Sequence, residues 1–379
     1  MVALVTSGYL TLDDLVLNDG RVLRDTLGGG ALFSAVGART WGAVVGIHGC
    51  SGGDYPARYR EQIAAAGIDL QGVTTGPPRS LRLWLLEEGD AGKQQLPKLH
   101  AADPVTLDAA RGPLPAAYAA ASGFHVAPSL PNTQRAAVAA IRQQAPRAVI
   151  TLDIWTESFF DVAPYRDPAF LAGVDAFLPS DKEVAHLWGR EDLPGTLRRL
   201  ANHGPRVVAV KRGARGALVY DREADALWEI PALAVPVVDT IGAGDAWCGG
   251  FLAGLVSHAD PLEAGLRGTV AASFAIQGYG AQAGMQPDPG KVAARLAALR
   301  PRARRVSPGS KRRRWRPSGR HSRRSRDYAR GWTRSPWTAP FTCWRRWKRR
   351  RRHRRPPAGR ASRSSRRSCR TKGSSPRSG

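Results

Sequence analysis

The sequence predicts an α/β fold built on a doubly wound, mostly parallel sheet, and three observations lead there. Short apolar, β-branched runs alternate with longer Ala-rich stretches of helical period over residues 1–300. Strand signals alternating with helix signals imply βα units, whose crossovers cover both faces of a parallel sheet. Two stretches, Leu12–Arg24 and Leu81–Lys98, break this rhythm with polar–apolar alternation. The third observation is segregated charge. The 379-residue chain carries +26, yet residues 301–379 hold 30 Lys and Arg against one acid, Asp327. What remains, 27 basic and 30 acidic residues, makes 1–300 a near-neutral chain, long enough for a sizeable core.

Taken in order, strands are expected at Val2–Thr6, Ala43–Ile47, Gly123–Val126, Ala148–Asp153, Ala176–Pro179, Val207–Val210 and Ala217–Tyr220. Helices are expected at Ala31–Trp41, Ala57–Ala66, Asn132–Gln144, Asp181–Trp188 and Thr196–His203, then at Gly244–Ser257 and Pro261–Gln277. The two irregular stretches read as extra strands forming a small sheet beside the main one. Pattern alone leaves open whether that sheet is a lid over a substrate cleft or an ordinary hairpin decoration. Residues 1–300 are read as one domain and 301–379 as a tail. The tail has no hydrophobic period and cannot bury enough apolar surface to offset its ordering entropy, so disorder is expected. Its runs Lys311–Arg314 and Lys348–Arg352, interleaved with Trp315, Trp344 and Trp347, are suited to nonspecific nucleic-acid binding. The same composition is what a GC-rich reading frame yields when translated out of register.

Several classes are disfavoured. Cys50, Cys248, Cys343 and Cys369 show no CxxC or Cys/His spacing, which argues against a disulfide framework or zinc site. The eight histidines do not cluster at metal-ligand spacing. The start, MVALVTSGYLTLDD, lacks a basic region before an apolar run, and no stretch reaches about 18 apolar residues. The cytosol is the expected compartment, with no membrane partner.

The most informative segment is Val237–Phe251, VVDTIGAGDAWCGGF. It reads as an apolar strand entering a small-residue turn that opens a helix. Gly242, Ala243 and Gly244 let backbone approach an anion, and their N–H groups at a helix N-terminus form an anion hole. Asp245 follows in the first turn. Phosphoryl transfer to an alcohol needs a carboxylate beside the acceptor hydroxyl and donors for the transferring charge. No GxxxxGK[ST] loop is present. Asp153 ends a strand, where it either lines the ligand crevice or caps locally. Cys248 reads as packing.

Asp-Thr-x-Gly-Ala-Gly-Asp followed by Gly-Gly-Phe resembles the C-terminal signature of the PfkB/ribokinase family of carbohydrate kinases. The resemblance covers residues 1–300. It implies a ribokinase-like fold with a small β lid, and ATP-dependent transfer of a γ-phosphoryl group to a hydroxyl of a sugar-like molecule, with Asp245 as base. Gly28-Gly29, before the expected helix, resembles the glycine pair that lets the sugar lie against the backbone. Gly8 followed by Asp13 resembles the early strand whose aspartate binds sugar hydroxyls. Asp14 is the neighbouring alternative, and strand parity allows only one of them to face the cleft. Pro179-Ser180-Asp181-Lys182-Glu183 resembles the family's Asn-x-x-Glu element, implying that Glu183 organises Mg2+ through water, with Ser180 in place of Asn. Lys211, Gly213 and Gly216 resemble the nucleotide-side turn, while Arg212 and Arg215 are read as solvated charges. Asp239 matches a position that supports a monovalent cation such as K+ in some members. Phe33 stands where ribokinase-like members carry Asn, which suggests a different or less polar substrate than free ribose. The family resemblance also implies a homodimer through the lid. The rival readings are a kinase-derived binding protein that has lost catalysis, motivated by Ser180 and Phe33, and a nucleic-acid binder acting through the tail.

Overall fold

The structure, a computed structural model, describes residues 1–87, 93–156, 161–190 and 192–306. In chain order the first elements are β1 (Leu4–Tyr9), β2 (Thr11–Val16), β3 (Val22–Gly28), α1 (Gly30–Arg39), β4 (Val45–Ser51), α2 (Ala57–Ala65) and β5 (Ile68–Thr75). Next come β6 (Leu81–Glu87), β7 (Lys93–Pro97), α3 (Pro104–Ala110), β8 (Gly123–Val126), α4 (Pro131–Gln144), β9 (Val149–Leu152) and β10 (Ala176–Phe177). The rest are α5 (Asp181–Trp188), α6 (Leu193–Ala201), β11 (Val207–Lys211), β12 (Ala217–Asp221), β13 (Ala226–Ile230), α7 (Ala243–His258), α8 (Pro261–Ala275), α9 (Pro289–Leu299) and β14 (Arg304–Arg305).

Ten strands form the main sheet in the order β14-β13-β12-β11-β10-β9-β8-β1-β4-β5. From β5 to β11 every pairing is parallel, and β12, β13 and β14 are added antiparallel. The apolar runs of the central strands follow from coverage on both faces. From β1 the chain builds outward through β4 and β5, then restarts at β8 on the other side. The β1/β8 boundary is therefore the topological switch point, where a ligand crevice opens outside the carboxyl ends of the strands. The two irregular stretches form the second sheet, β3-β2-β6-β7, with residues 88–92 outside the described residues. This mostly parallel sheet with a smaller companion is the α/β architecture the sequence predicts.

The helix pair α1 and α7 sets the geometry of the crevice. A Cβ placed on Gly37 would lie 2.0 Å from Ala246 O, and one on Gly249 would lie 1.8 Å from Ser34 O. Only hydrogen at these positions allows the helices to meet this closely, and the contact sets the two helix N-termini side by side.

Differences from expectation have local causes. β5 is an edge strand with half-exposed residues and a register shift opposite Gly46–His48, so it lacks a continuous apolar run. α3 is a short helix begun by an Asp103 cap and a first-turn proline, too brief to show a period. Residues 237–238, expected as a strand, join no ladder. The segment is pinned instead on the end of α8, with Val238 N–H donating to Ile276 O at 2.8 Å, and Val237 and Val238 are exposed. The fold also continues past residue 300. Arg304 and Arg305 pair with Glu229 and Trp228, and Val306 N–H donates to Leu227 O at 2.7 Å. From residue 307 on, the expected disordered basic tail lies outside the described residues. Among the described residues no helix is long and apolar enough to cross a membrane.

Candidate active site

Gly242 adopts φ 69° and caps the N-terminus of α7. That left-handed turn is open to glycine and strained for other residues. Ala243 and Gly244 follow as the first helical residues, and Asp245 lies in the first turn. First-turn N–H groups have no acceptor within their own helix, so those of Gly244 and Asp245 are placed for an anion. Ala243 N–H instead leans on Thr240 O at 3.3 Å, a turn bond that an anion would have to displace. Phe33, expected to mark the substrate, is buried with its ring against Gly242. Its aromatic bulk supports the turn.

The Asp245 carboxylate faces the other helix start. A Cβ on Gly30 would sit 2.9 Å from Asp245 Oδ1 and 3.3 Å from Pro128 Cδ. Gly30, Ala127 and Pro128 thus border the space before the carboxylate. Of the glycine triplet the sequence singled out Gly28 and Gly29, yet Gly30 is the one next to Asp245. Its signal was its place at the start of a helix packed on the signature helix, which only contacts across the fold reveal. Burial, reinforced by the negative charge of Asp153, pushes Asp245 up to about 7, while Lys211 opposes the shift.

Asp153 is buried just beyond the end of β9. Its Oδ1 accepts the N–H of Ile154 at 2.9 Å, and its Oδ2 pairs with Lys211 Nζ. Cys248 Sγ lies 3.5 Å from each partner. Lys211 is also the nearest side chain to Gly244, where a Cβ would lie 3.5 Å from its Nζ. Burial alone would discharge this ammonium, but the Asp153 carboxylate, with Glu183 near it, keeps it charged and its pKa above that of an ordinary lysine. Glu183 closes a capping box with Ser180: Glu183 Oε2 accepts Ser180 N–H at 2.5 Å, and Ser180 Oγ accepts Glu183 N–H at 3.3 Å. Ser180 therefore holds the helix start in place of the expected Asn. Burial and the Asp153 charge push Glu183 up to about 7.

The sugar-side residues meet at the junction of the two sheets. Asp13 is buried on β2; Thr11 Oγ1 donates to its Oδ2 at 2.8 Å, and its Oδ1 has no hydrogen-bond partner among the described residues. Burial raises Asp13 to about 7 against the bonds from Thr11 and Leu83. Asp14 is engaged elsewhere, with Lys98 Nζ at 2.6 Å and Asp25 N–H at 3.0 Å. Burial would raise its pKa, but these partners outweigh it and hold the carboxyl below the usual range. Gly28 and Gly29 have packing reasons for being glycine. A Cβ on Gly28 would strike Asp13 Oδ2 at 1.9 Å, and one on Gly29, at φ 103°, would strike Tyr9 O at 2.2 Å.

On the opposite side the turn Gly213–Arg215 follows β11, with Gly213 at φ 56° and open space around it. Gly216 is demanded by packing, since a Cβ there would meet Ile230 O at 1.9 Å. Arg212 and Arg215 are ion-paired rather than merely solvated, Arg212 with Glu229 at 2.8 Å and Arg215 with Asp181. Asp239 is buried, its Oδ1 accepting Ile241 N–H at 2.9 Å before the turn.

Three carboxylates, Asp153, Glu183 and Asp245, share the field of one ammonium, and burial, with the Asp153 charge, pushes Glu183 and Asp245 up to about 7. Such hard oxygen donors suit a divalent cation. Among the described residues no three or more His, Cys, Asp or Glu form a ready metal cage. Mg2+ takes one or two carboxylates and completes its shell with water and phosphate oxygens.

Comparison with known proteins gives the family and the fold. The model of the pfkB family carbohydrate kinases matches residues 9–289. A cytidine kinase from Thermococcus kodakarensis is 30% identical over 273 residues, 69% of this chain and 91% of the relative. Among solved structures, a ribokinase II candidate from Escherichia coli, in complex with ATP and Mg2+, superposes with a TM-score of 0.65 at 19% identity, over 79% of this chain and all of that one. A nucleoside kinase from Burkholderia thailandensis, in complex with inosine, gives a TM-score of 0.62 at 19% identity, over 78% of this chain and 98% of that one. These structures show a ribokinase-like fold. With the glycine turn, its following aspartate and the switch-point crevice all inside the matched span, the chain belongs to the pfkB family of carbohydrate kinases.

Proposed function

We propose that this chain is an ATP-dependent kinase that transfers the γ-phosphoryl group to a hydroxyl of a sugar or nucleoside. The observation that carries the reading is the position of Asp245. Its carboxylate borders the space at Gly30, while the first-turn amides of its own helix and Lys211 stand beside it. An acceptor hydroxyl lying against Gly30 gives its proton to Asp245. The hydroxyl oxygen then bonds to the γ-phosphorus as the bond to the β–γ bridging oxygen breaks, and ADP leaves with that electron pair. The α7 amides stabilise the transferring charge. Glu183, with Asp153 near it, would organise Mg2+ through water, and the ion would screen phosphate charge. The free oxygen of Asp13 accepts from acceptor hydroxyls, and Gly213 and Gly216 shape the nucleotide side. Asp239 is the carboxylate placed for a monovalent cation beside the turn, and the smaller sheet is the surface for a homodimer.

Within this reading a nucleoside is the first acceptor to test, because the cytidine kinase matches over most of its own length. The test is ATP consumption by the full chain against sugars, sugar phosphates and nucleosides, with Asp245→Asn alongside. Acceptor-dependent ADP formation by the wild-type protein alone supports the reading. Acceptor-independent hydrolysis, or none with any acceptor, sinks it.

A further inference from the structure

Lys211 is held by Asp153 in a place where that pairing is not its only use. The ion pair joins the carboxyl end of β9 to the carboxyl end of β11, directly under the first turn of α7. Asp153 Oδ2 is the partner of both Lys211 Nζ and the Cys248 thiol, and Lys211 is 12% exposed. On its other side the lysine stem borders Gly244, whose absent Cβ would sit 3.5 Å from Nζ, 3.7 Å from Cδ and 3.8 Å from Cε. The ammonium thus has a carboxylate on one flank and the first turn of α7, at Gly244, on the other. A short swing about its terminal torsions exchanges one for the other. A buried ion pair whose only task was stability would gain little from standing in a crevice, since desolvation offsets most of its attraction.

We propose that Lys211 is a phosphate-exchange residue: it leaves Asp153 for the terminal phosphate of the bound nucleoside triphosphate, and Asp153 holds it in reserve until then. The proposal rests on the kinase reading and deepens it. The compact ammonium remains protonated throughout and carries no leaving group; it neutralises the terminal phosphate while bonds to phosphorus form and break as described above. A nucleoside diphosphate ends one phosphate short and leaves the lysine with Asp153. The pair therefore discriminates triphosphate from diphosphate, which assists product release.

The test is calorimetric binding of β,γ-methylene-ATP and of ADP to the full chain, with EDTA present so that no divalent cation contributes. Lys211→Met is expected to weaken the triphosphate analogue by about 10-fold or more, the worth of a charge-assisted hydrogen bond, and ADP by less than about 3-fold. Because Lys211→Met strands a buried carboxylate, the Asp153→Asn/Lys211→Met double variant, which is neutral at both positions, is measured beside it and should show the same selective loss. A merely structural pair would shift both nucleotides alike. If the double variant keeps its triphosphate affinity within about 3-fold, the exchange is overturned. Wild-type protein that binds neither nucleotide removes the kinase reading itself, and this inference with it. Wild-type protein that transfers phosphate while the double variant does so at the same rate removes only the exchange.

Discussion

Phe33 on α1 and Gly242 at the start of α7 are in direct contact, so that a Cβ on Gly242 would fall 2.2 Å from Phe33 Cδ1. The left-handed glycine and the aromatic ring beneath it hold the anion turn from both sides.

Gly242→Ala meets that ring and a positive φ at once. The backbone penalty alone is about 1–2 kcal/mol. Transfer should fall by at least about 10-fold, with circular dichroism unchanged, because the damage is confined to one turn. Phe33→Leu, which opens space, should partly rescue it. Wild-type kinetics in Gly242→Ala would place the phosphate elsewhere.

Asp245→Asn should lower kcat by roughly 10²–10⁴ while nucleotide binding stays near normal. It should also stabilise the ligand-free protein at pH 8. A carboxyl whose folded pKa is raised to about 7 opposes folding once ionised, and the amide removes that burden. Thermal melts of the two proteins should differ by at least about 2 °C at pH 8 and converge near pH 4. A lower melting temperature for Asp245→Asn at pH 8 would show that the carboxylate is stabilising.

Activity should rise with pH through about 7 as Asp245 loses its proton, provided Mg2+ and nucleotide leave its pKa in place. Stability of the ligand-free protein runs the other way. Asp13, Glu183 and Asp245 are all raised to about 7, so their contribution is fully present below the unfolded carboxylate range and is lost as pH climbs through 7. His125, which burial depresses to about 3, has the opposite sign and favours folding as pH rises up to its unfolded value. Urea midpoints from pH 4 to 9 read the sum, and a midpoint that increases from pH 7 to pH 9 contradicts it.

Asp13→Ala should raise the acceptor KM about 10-fold or more and leave the ATP KM unchanged, since it removes a charged acceptor for hydroxyls. Asp14→Ala should instead strand Lys98 and lower stability with little change in KM. An exchange of these two outcomes would show that the cleft-facing carboxylate was assigned one residue out of place.

A chain ending at Val306 should keep the wild-type melting temperature and turnover. One ending at Arg300 loses the β13–β14 pairing, the Arg304 bonds to Glu229 and the Val306 bond to Leu227, and should melt several degrees lower. Equal stability of the two would make β14 an ornament.

What the sequence determined by itself was local. Gly123–Val126 and Asp181–Trp188 are read at their observed bounds because burial on both faces in one case, and a capping box in the other, leave a signature within a few residues. The Gly242–Asp245 turn was legible for the same reason, since a helix start that accepts an anion needs small residues and an acid at fixed spacing. Tertiary structure decided how these pieces meet. Asp153 and Lys211 are 58 residues apart, and nothing in either segment announces the pair. Gly30 looks like its two neighbours until α7 lays Asp245 beside it. Nothing in the sequence around Phe33 announces that its ring lies under Gly242. In each case the deciding quantity is a distance across the α1–α7 contact or across the sheet, and such distances are fixed by packing of the whole core, not by the preferences of the residues that happen to meet there.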